Sequence, residues 1–310
     1  MERTYIKELK GSVGKEVKLC GWVDVRRDQG KMIFIDLRDV TGKVQMVALP
    51  THPEVVKAAD QVRPEWVVEV RGRVNERPAK NVKEGVMNGN LEIEILELKV
   101  LNEAATPPLD VRSGGLEIGE ETRLKYRYLD LRRERLQKNL RLRHDVIKFI
   151  RDYLSGQNFV EVETPILTKS TPEGARDYVV PSRLYPGKFY ALPQSPQQYK
   201  QLLMVAGLEK YFQIARCFRD EDTRGDRQPE FTQMDLEMSF VERENVMALN
   251  EDLLIKIVQA LAPEKKIQET PFPRLTYQEA MAKYQTDRPD LRRDKNDPNL
   301  LAFFWVIDFP

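Results

Sequence analysis

The stretch FRDEDTRGDRQPEFTQMDLEMSF, residues Phe218–Phe240, decides the fold of the second half of the chain. It predicts a strand, a polar loop and a returning strand. Because side chains alternate between the two faces of a strand, charged and polar groups collect on one face of this hairpin. They are Arg219, Glu221, Gln233, Asp235 and Glu237. Two interpretations remain open: a structural ion-pair network, or a polyanion site in which Arg219 grips a phosphate and the carboxylates hold Mg²⁺ or an amine.

The segments around this hairpin predict an α+β domain. Short strands and helices follow Gly156 in no strict βαβ order, which favours a mainly antiparallel sheet flanked by helices. Gly156 is the predicted end of a helix. Before it, apolar residues recur at helical spacing: Leu136, Leu140, Ile147, Ile150 and Leu154. Lys and Arg crowd the other faces of this helix. We expect a solvated surface there, with a nucleic-acid contact as the less favoured alternative.

The first hundred residues predict a small β-barrel. Five apolar-polar alternating segments read as strands, with a short helix after the third, which is the order of an OB-type barrel. Another small barrel is the alternative. A turn is predicted at Asp39–Gly42, and Gly72 marks a bulge or a close backbone approach. We therefore expect an OB-type domain over residues 1–103, a Pro- and Gly-rich linker over 104–120, and the α+β domain over 121–310.

Composition excludes several classes of protein. The 310 residues carry 50 Lys plus Arg and 49 Asp plus Glu, so any basic surface must be a local patch. No segment approaches a membrane span, and the N-terminus lacks a signal core. The expected compartment is the cytoplasm. With only two cysteines and two histidines, neither a zinc cluster nor Ser-His-Asp hydrolysis is favoured. The chemistry must use Arg, Lys and carboxylates.

Several motifs together resemble one family, the bacterial-type aspartyl-tRNA synthetases of class II, subclass IIb. FRDE followed by EFTQMDLE resembles motif 2, and GQNFVEVETPIL resembles motif 1, with Pro165 as its signature proline. TPEGARDY and QSPQQYKQLLM resemble the family's amino-acid-binding loops. WVDVRRDQGKMIFIDLRD resembles its anticodon-binding barrel. The blocks follow the family's order and cover nearly the whole chain.

The resemblance implies a role for each matching residue. Arg219 corresponds to the arginine that holds the α-phosphate of ATP and the α-carboxylate of aspartate, and it is the implied catalytic residue. Glu173 corresponds to the residue that reads the substrate ammonium. The implied aspartate contacts are Glu173, Ser195, Gln197, Lys200, Arg219 and Asp235. The implied ATP contacts are Arg219, Asp220, Glu221, Gln228 and Gln233.

The implied activity is aspartate–tRNA ligation with ATP as substrate and Mg²⁺ as cofactor. A positive Lys200, paired with Asp235, suits the carboxylate of aspartate better than neutral asparagine. From the residues alone, Lys200 is instead a solvated position on a helix. The aspartate carboxylate needs no general base to attack the α-phosphate, so catalysis would rest on positioning and charge neutralisation by Arg219 and Mg²⁺.

The resemblance also implies macromolecular partners. Phe34 corresponds to an aromatic residue that stacks on an anticodon base, although the strand pattern alone favours a core position. The implied anticodon contacts are Arg26, Arg27, Phe34, Gln45, Asn81 and Glu92. The expected nucleic-acid partner is tRNA for aspartate, with asparagine tRNA left open as a second substrate. Motif 1 with Pro165 implies a homodimer.

Two departures from the family pattern matter. The chain lacks the insertion that usually follows a segment like YQTDRPDLR, residues Tyr284–Arg292. Nothing after Phe240 resembles motif 3, and LLAFFWVIDF reads as a buried strand. We therefore expect an N-terminal fragment that is weak or inactive by itself. The alternatives are a noncatalytic tRNA-binding relative, or a subclass IIb synthetase for asparagine or lysine.

Overall fold

The computed structural model describes residues 1–171, 173–223, 225 and 227–310, so Pro172, Arg224 and Asp226 lie outside the described residues. The chain divides into two units, residues 1–138 and 139–310. The elements of the first unit are β1 (Glu16–Gln29), β2 (Met32–Asp39), β3 (Gly42–Ala48), α1 (Pro53–Gln61), β4 (Val67–Glu76), β5 (Leu91–Asn102), α2 (Glu120–Lys125) and α3 (Arg127–Asp130). Short 3₁₀ turns lie at Ile6–Ser12 and Ala79–Asn81.

The first unit contains a closed five-stranded barrel in the order β1-β2-β3-β5-β4. The pair β3–β5 is parallel and the other pairs are antiparallel. Alternation along β2 sends Ile33, Ile35 and Leu37 into the core, where each is at most 3% exposed. With α1 after the third strand, this arrangement confirms the predicted OB-type barrel.

Gly72 allows a close approach between β4 and β5. The register of the pair shifts between Arg71 and Gly72. A Cβ atom at Gly72 would lie 2.5 Å from Cγ2 of Ile93 and 2.6 Å from the carbonyl oxygen of Glu94. No side chain fits there, so the predicted bulge with close contact is confirmed.

A buried ion network connects the barrel to the segment that follows it. Glu65 is 3% exposed and has φ of 69°, a conformation that a non-glycine residue adopts at a cost. Arg38 donates to both carboxylate oxygens of Glu65, at 2.9 and 2.8 Å, and also to Asp24 at 2.6 Å. Arg132 donates to the same Glu65 carboxylate. The network therefore holds the strained residue from two separate parts of the chain.

The predicted linker packs within the first unit. It has no regular helix or strand before Gly119, but Leu109 and Val111 are 7% and 5% exposed. The carbonyl oxygen of Ala104 accepts a hydrogen bond from the indole of Trp66 at 3.0 Å. The carbonyl oxygen of Ser113 accepts one from the buried Arg133 at 2.9 Å. These contacts hold the segment against other residues of the first unit.

The remaining elements form the α+β part of the chain. The helices are α4 (Glu134–Gly156), α5 (Gln197–Val205), α6 (Arg243–Leu261) and α7 (Tyr277–Tyr284). The strands are β6 (Val160–Glu161), β7 (Val179–Pro181), β8 (Phe189–Ala191), β9 (Lys210–Phe218), β10 (Glu230–Met238), β11 (Lys266–Ile267), β12 (Arg274–Thr276), β13 (Leu300–Leu301) and β14 (Trp305–Ile307). In the described residues, no helix combines the length and the hydropathy of a membrane span.

The hairpin of β9 and β10 is the centre of this part. The three-stranded sheet has the order β10-β9-β6, with β9 and β10 antiparallel and β6 parallel to β9. One face of the hairpin is apolar and packs on α4 and α6, through residues that include Ile150, Leu154, Phe212, Leu249 and Leu253. This arrangement confirms the α+β class and leaves the opposite face of the hairpin for polar groups.

Three local predictions were wrong. The first strand of the hairpin ends at Phe218, so Glu221 lies in the loop and does not share a strand face with Arg219. The segment LLAFFWVIDF forms two short strands, β13 and β14. Residues 300–307 are only half-buried and Phe309 is exposed, because each strand pairs with a single short partner. Leu140 of the predicted apolar stripe is 48% exposed.

Candidate functional site

The face of the hairpin that points away from α4 and α6 is called here the polar face. Register pairs place Gln233 opposite Ala215, Asp235 opposite Gln213 and Glu237 opposite Tyr211. The same alternation puts Cys217 and Phe231, which are also paired, on this face. Gln233, Asp235 and Glu237 therefore lie in a row along β10, as the sequence predicted.

Lys200 reaches the polar face from α5. Its side chain is 11% exposed, and its Nζ atom lies 2.8 Å from Oδ1 of Asp235 and 2.9 Å from Oε1 of Glu237. The solvated position that the helix pattern allowed is therefore wrong: the ammonium is buried between two carboxylates. Glu237 was placed on this face by the sequence pattern but was not assigned a role, and its pairing with Lys200 adds it to the site.

Burial and charge act in opposite directions on this cluster. Burial by itself lowers the pKa of Lys200, but hydrogen bonds to Asp235 and Glu237 raise the pKa above its usual value. Burial raises the pKa of Asp235, and the adjacent ammonium only partly offsets that effect. The Oδ2 atom of Asp235 is buried and has no hydrogen-bond partner among the described residues. The cluster therefore has an acceptor in need of a donor.

Arg219 begins the loop after β9 and has the opposite need. Its backbone N–H donates to the carbonyl oxygen of Pro229 at 2.8 Å, which closes the base of the loop. Its guanidinium lies 5.1 Å from the centre of the Phe231 ring, within the range of a cation–π contact. The Nε atom is buried and, within the described residues, unpartnered. The guanidinium therefore keeps a free donor at the end of the polar face.

The loop that contains Glu173 meets the segment before α5. One carboxylate oxygen of Glu173 accepts from Oγ1 of Thr171 and the other from Oγ of Ser195, both at 2.7 Å. Gln194 is 2% exposed and hydrogen-bonds the backbone of Ala175. The structure thus brings together Glu173 and Ser195, which were each predicted to contact aspartate. Gln194 lies within a quoted motif but was not singled out by its pattern.

Cys217 lies among the charged groups of the site. Burial, together with the carboxylates of Asp235 and Glu173, raises the pKa of its thiol to about 11, against the opposing charges of Arg219 and Lys200. All four charged side chains are therefore near enough to act on one buried sulfur atom. The thiol stays protonated near neutral pH and is a donor, not a nucleophile.

The thiol makes its contact with another predicted residue. Sγ of Cys217 lies 3.3 Å from Oε1 of Gln233, on the adjacent strand. Gln197 is the first residue of α5 and is half-buried. Asp220, Glu221 and Gln228 are exposed in the loop between the strands, and the backbone N–H of Asp220 donates to the carbonyl oxygen of Arg176 at 2.9 Å. Within the described residues, these three exposed side chains therefore follow Arg219 in sequence but make no hydrogen bond to Lys200, Asp235 or Glu237.

The outer face of the barrel contains a second polar cluster. Arg27 donates to both carboxylate oxygens of Asp36, at 2.9 and 2.8 Å, and to Oε1 of Gln45 at 3.4 Å. Nε2 of Gln45 donates to Glu92 at 2.6 Å. Lys83 reaches Oε1 of Gln45 at 3.5 Å and was not predicted. Three predicted anticodon contacts, on β1, β3 and β5, therefore belong to one network.

The other predicted contacts of the barrel lie outside that network. Phe34 is half-exposed on the outer face, between the inward-facing Ile33 and Ile35, so the core position that its strand pattern favoured is wrong. Arg26 donates to the carbonyl oxygen of Ala59 and to Asp60. Asn81 is exposed at the end of a 3₁₀ turn. Phe34 is paired with Val47 on the adjacent strand, in line with Gln45.

Both parts of the chain match known families. Residues 119–310 match the model of the class II tRNA synthetases (D, K and N), and residues 17–101 match an OB-fold nucleic acid binding domain. The chain is 57% identical over 286 residues to the aspartate–tRNA(Asp/Asn) ligase of Rubrobacter xylanophilus, covering 92% of this chain and 47% of that relative. It is 54% identical over 296 residues to the aspartate–tRNA ligase of Geobacillus kaustophilus, covering 94% and 50%. The chain therefore spans about half the length of the curated relatives it matches.

Solved structures give the same result at lower identity. The asparaginyl-tRNA synthetase from Pyrococcus horikoshii, complexed with asparaginyl-adenylate, has a TM-score of 0.79 and 28% identity, covering 92% of this chain and 67% of that one. A putative aspartyl-tRNA synthetase from Leishmania major Friedlin has a TM-score of 0.75 and 26% identity, covering 84% and 53%. The likeness includes both the barrel and the α+β part.

Proposed function

The chain belongs to the class II tRNA synthetases (D, K and N), with an OB-fold nucleic acid binding domain before the synthetase part, and from this membership we propose that it acts as an aspartate–tRNA ligase. The first step joins aspartate to the α-phosphate of ATP and releases pyrophosphate. The second step transfers the aspartyl group to a ribose hydroxyl at the 3′ end of tRNA and releases AMP. The proposed compartment is the cytoplasm, where ATP, aspartate and tRNA are available.

One observation carries the proposal: the polar face holds an unpartnered buried donor and an unpartnered buried acceptor. Nε of Arg219 and Oδ2 of Asp235 both lack a hydrogen-bond partner within the described part of the chain. Unpaired buried polar atoms are costly, so a ligand that supplies both partners binds favourably. An α-amino acid has a carboxylate for Arg219 and an ammonium for Asp235. Glu173, held by Ser195, adds a second carboxylate for the ammonium.

Lys200 supports aspartate as the amino acid. Its ammonium is buried and already faces two carboxylates, so it is held positively charged. Two of its three N–H donors face Asp235 and Glu237, and the third is proposed to bind the side-chain carboxylate of aspartate, while the substrate's own ammonium offsets the excess negative charge. The amide of asparagine brings no charge to this contact. A site built on paired charges discriminates strongly because a mismatched ligand leaves one of them unpaired. The bulkier cationic side chain of lysine is disfavoured beside Lys200.

The residues at the site perform adenylation by orientation and charge neutralisation. The aspartate carboxylate is already an anion at neutral pH, so no side chain has to remove a proton from it. Arg219 binds this carboxylate and the α-phosphate, and it stabilises the negative charge that grows on the phosphate oxygens. Its cation–π contact with Phe231 helps to hold the guanidinium in place before the substrates arrive.

ATP contacts are proposed for the loop beside Arg219 and for the polar face. Asp220, Glu221 and Gln228 lie exposed in that loop, and Gln233 lies on β10 with its Oε1 atom beside Cys217. Mg²⁺ is proposed to accompany ATP. In the described part of the chain, no three His, Cys, Asp or Glu side chains are grouped so as to hold a metal ion. Mg²⁺ is usually held by one or two carboxylates together with the phosphates of its nucleotide, so ATP itself would supply the remaining ligands.

The outer face of the barrel is the proposed anticodon contact. The half-exposed ring of Phe34 offers a stacking surface, and the network of Arg27, Gln45 and Glu92 offers donors and acceptors to base edges. Arg26 and Asn81 complete the proposed set. The tRNA is proposed to be that for aspartate. Asparagine tRNA is a second candidate, since the ligase of Rubrobacter xylanophilus is named for both.

A homodimer is the proposed assembly. A groove of about 420 Å³ between α4 and the hairpin is lined mainly by apolar side chains, among them Leu142, Val146, Ile147, Ile214 and Met234. Ile166 and Leu167, which follow Pro165, are 44% and 56% exposed. Such apolar surface is typical of interfaces between identical subunits. Leu142→Glu should convert the dimer to monomers in sedimentation, while Leu124→Glu, at an exposed leucine of α2, should not.

The proposed activity is tested by ATP–pyrophosphate exchange, measured on the protein at the full length that its gene encodes. Exchange that depends on aspartate, and is much weaker with asparagine or lysine, is expected. Exchange that depends on asparagine or lysine would move the protein to another branch of the family. Binding of tRNA without exchange with any amino acid would identify a noncatalytic relative.

A further inference from the structure

Gln194 is a buried amide whose hydrogen-bonding groups are all used on one loop. Its Oε1 atom accepts from the N–H of Ala175 at 2.9 Å. Its Nε2 atom donates to the carbonyl oxygen of Ala175 at 2.8 Å and to Oδ1 of Asp177 at 2.5 Å. A primary amide offers one acceptor oxygen and two N–H donors. Gln194 therefore has no hydrogen left for a ligand and acts on the loop alone.

The same stretch of chain holds both ends of this loop. Gln194 binds its far end at Ala175 and Asp177, while the next residue, Ser195, binds Glu173 at 2.7 Å. Between these two anchors lies Gly174, with φ of 101°, which a side chain would rarely allow. The loop is thus held by hydrogen bonds on each side of Gly174, the residue with the greatest backbone freedom.

The contacts of Gln194 add to those of Thr171 and Ser195 in fixing where the carboxylate of Glu173 lies. A glutamate on an exposed loop must lose backbone and side-chain freedom before it can bind an ammonium group. With Gln194 in place, the loop and the side chain of Glu173 have already lost this conformational freedom when the protein folds. Without it, the loop is held at Ser195 and Thr171 but is released at Ala175 and Asp177.

We propose that Gln194 is a positioning residue, which fixes the loop of residues 173–177 so that Glu173 presents its carboxylate to the ammonium of the amino-acid substrate. The inference rests on the proposed function and adds a residue to its specificity machinery. It requires a much larger effect on amino-acid binding than on the ATP contacts, because within the described residues the loop reaches those contacts only through the hydrogen bonds between Arg176 and the backbone of Asp220. It also requires that the effect pass through Glu173.

The first test is Gln194→Ala in the protein at the full length that its gene encodes. KM for aspartate in pyrophosphate exchange should rise at least about tenfold, the scale for losing hydrogen bonds that hold a charged group. KM for ATP should stay within about twofold, since uniform loss of fold or activity would change both constants or kcat instead. An unchanged KM for aspartate would overturn the proposal.

A matched control comes from a second glutamine that clamps a loop in the same way. Gln268 donates to the carbonyl oxygen of Leu291 at 3.2 Å and accepts from the N–H of Arg293 at 2.7 Å. Gln268→Ala removes the same chemistry away from the polar face. It should leave both KM values unchanged, and a rise equal to that of Gln194→Ala would show a general loss of order.

The decisive measurement is a double-mutant cycle with Glu173. If Gln194 acts by placing Glu173, then Gln194→Ala should raise KM by less than about twofold once Glu173 is already alanine, because coupled residues are not additive. Full additivity of the two substitutions would refute the positioning role. No aspartate-dependent exchange in the unmodified protein would instead refute the proposed function, and the inference with it.

Exchanging the charge and the amide between residues 194 and 177 separates the proposed clamp from a general loss of folding. Gln194→Glu places a second carboxylate beside Asp177 and should open the loop by repulsion, with a larger rise in KM for aspartate than Gln194→Ala. Adding Asp177→Asn restores a donor for the new carboxylate and should recover part of the affinity. No recovery, with a normal circular dichroism spectrum, would contradict the clamp.

Discussion

Replacing Lys200 by methionine tests the energetics of the polar face most directly. The two side chains are nearly isosteric along the stem, so the substitution removes the charge and leaves the packing. Asp235, at 10% exposure, then loses its close cation, and its other oxygen has no hydrogen-bond partner among the residues that the structure describes. Glu237 is 34% exposed and retains contact with solvent. The cost therefore falls mainly on Asp235.

The expected magnitude follows from this burial. Removing one partner of a buried ion pair costs about 3–5 kcal/mol, because the remaining charge stays desolvated. Asp235 can reduce that cost by taking up a proton, since burial already raises its pKa above 3.8 while Lys200 lowers it. Loss of Lys200 raises the pKa further. The folded state then binds more protons than the unfolded state between the two pKa values, so stability falls as pH rises.

We therefore expect the destabilisation by Lys200→Met to be smallest at acid pH, where Asp235 is protonated, and to approach the full value of about 3–5 kcal/mol as the pH rises above the raised pKa of that carboxyl. Urea unfolding, followed by hydrogen exchange in peptides from β9 and β10, reports on this part of the chain. The matched control is Lys256→Met, whose exposed pair with Asp252 should contribute less than about 1 kcal/mol at any pH. Equal losses for the two variants, or a loss that grows as pH falls, would refute the reasoning.

Three further predictions concern the separate faces. Arg219→Ala should lower aspartate-dependent pyrophosphate exchange by at least about 10²-fold. The control is Arg216→Ala, which removes an exposed ion pair with Glu230 on the adjacent strand and should leave exchange within about threefold. Phe34→Ala should weaken tRNA binding in a filter assay by about 1–3 kcal/mol and leave aspartate activation intact. The control, Ile33→Ala, should instead lower the melting temperature. Equal losses of tRNA binding and of aspartate activation in Phe34→Ala would argue against stacking. The thiol of Cys217, with its pKa raised to about 11, should resist iodoacetamide at neutral pH until the protein is unfolded, and mass spectrometry of early alkylation at this residue would contradict its burial.

The fold could be predicted where local patterns and turn chemistry agree. The alternation in β2 and the turn at Asp39–Gly42 placed the barrel strands, and Gly72 marked a contact that only glycine permits. The extent of the short strands could not be predicted, because a two-residue pair such as β6 with β9 depends on tertiary contacts. The same holds for LLAFFWVIDF, whose apolar run is divided between two partners.

The candidate site was predictable where residues share a strand, and less so where it depends on contacts between segments. Asp235 and Glu237 follow from alternation along β10. The burial of Lys200 does not follow from its helix, because two carboxylates on another element make that burial tolerable. Gln194 has no sequence signal beyond the motif around it, since its role consists of hydrogen bonds to a loop nearly twenty residues earlier.

The network at Glu65 bears on how such a barrel can be passed between genes. A barrel cut after Asn102 would keep the strained backbone and the buried carboxylate of Glu65 but lose Arg132, one of its two cations. The unit that can be transplanted with its charges balanced therefore extends to Arg132, well beyond the last strand. Recombination at the end of β5 would separate Arg132 from the carboxylate that it pairs with, so the module that keeps this pair is longer than the visible barrel.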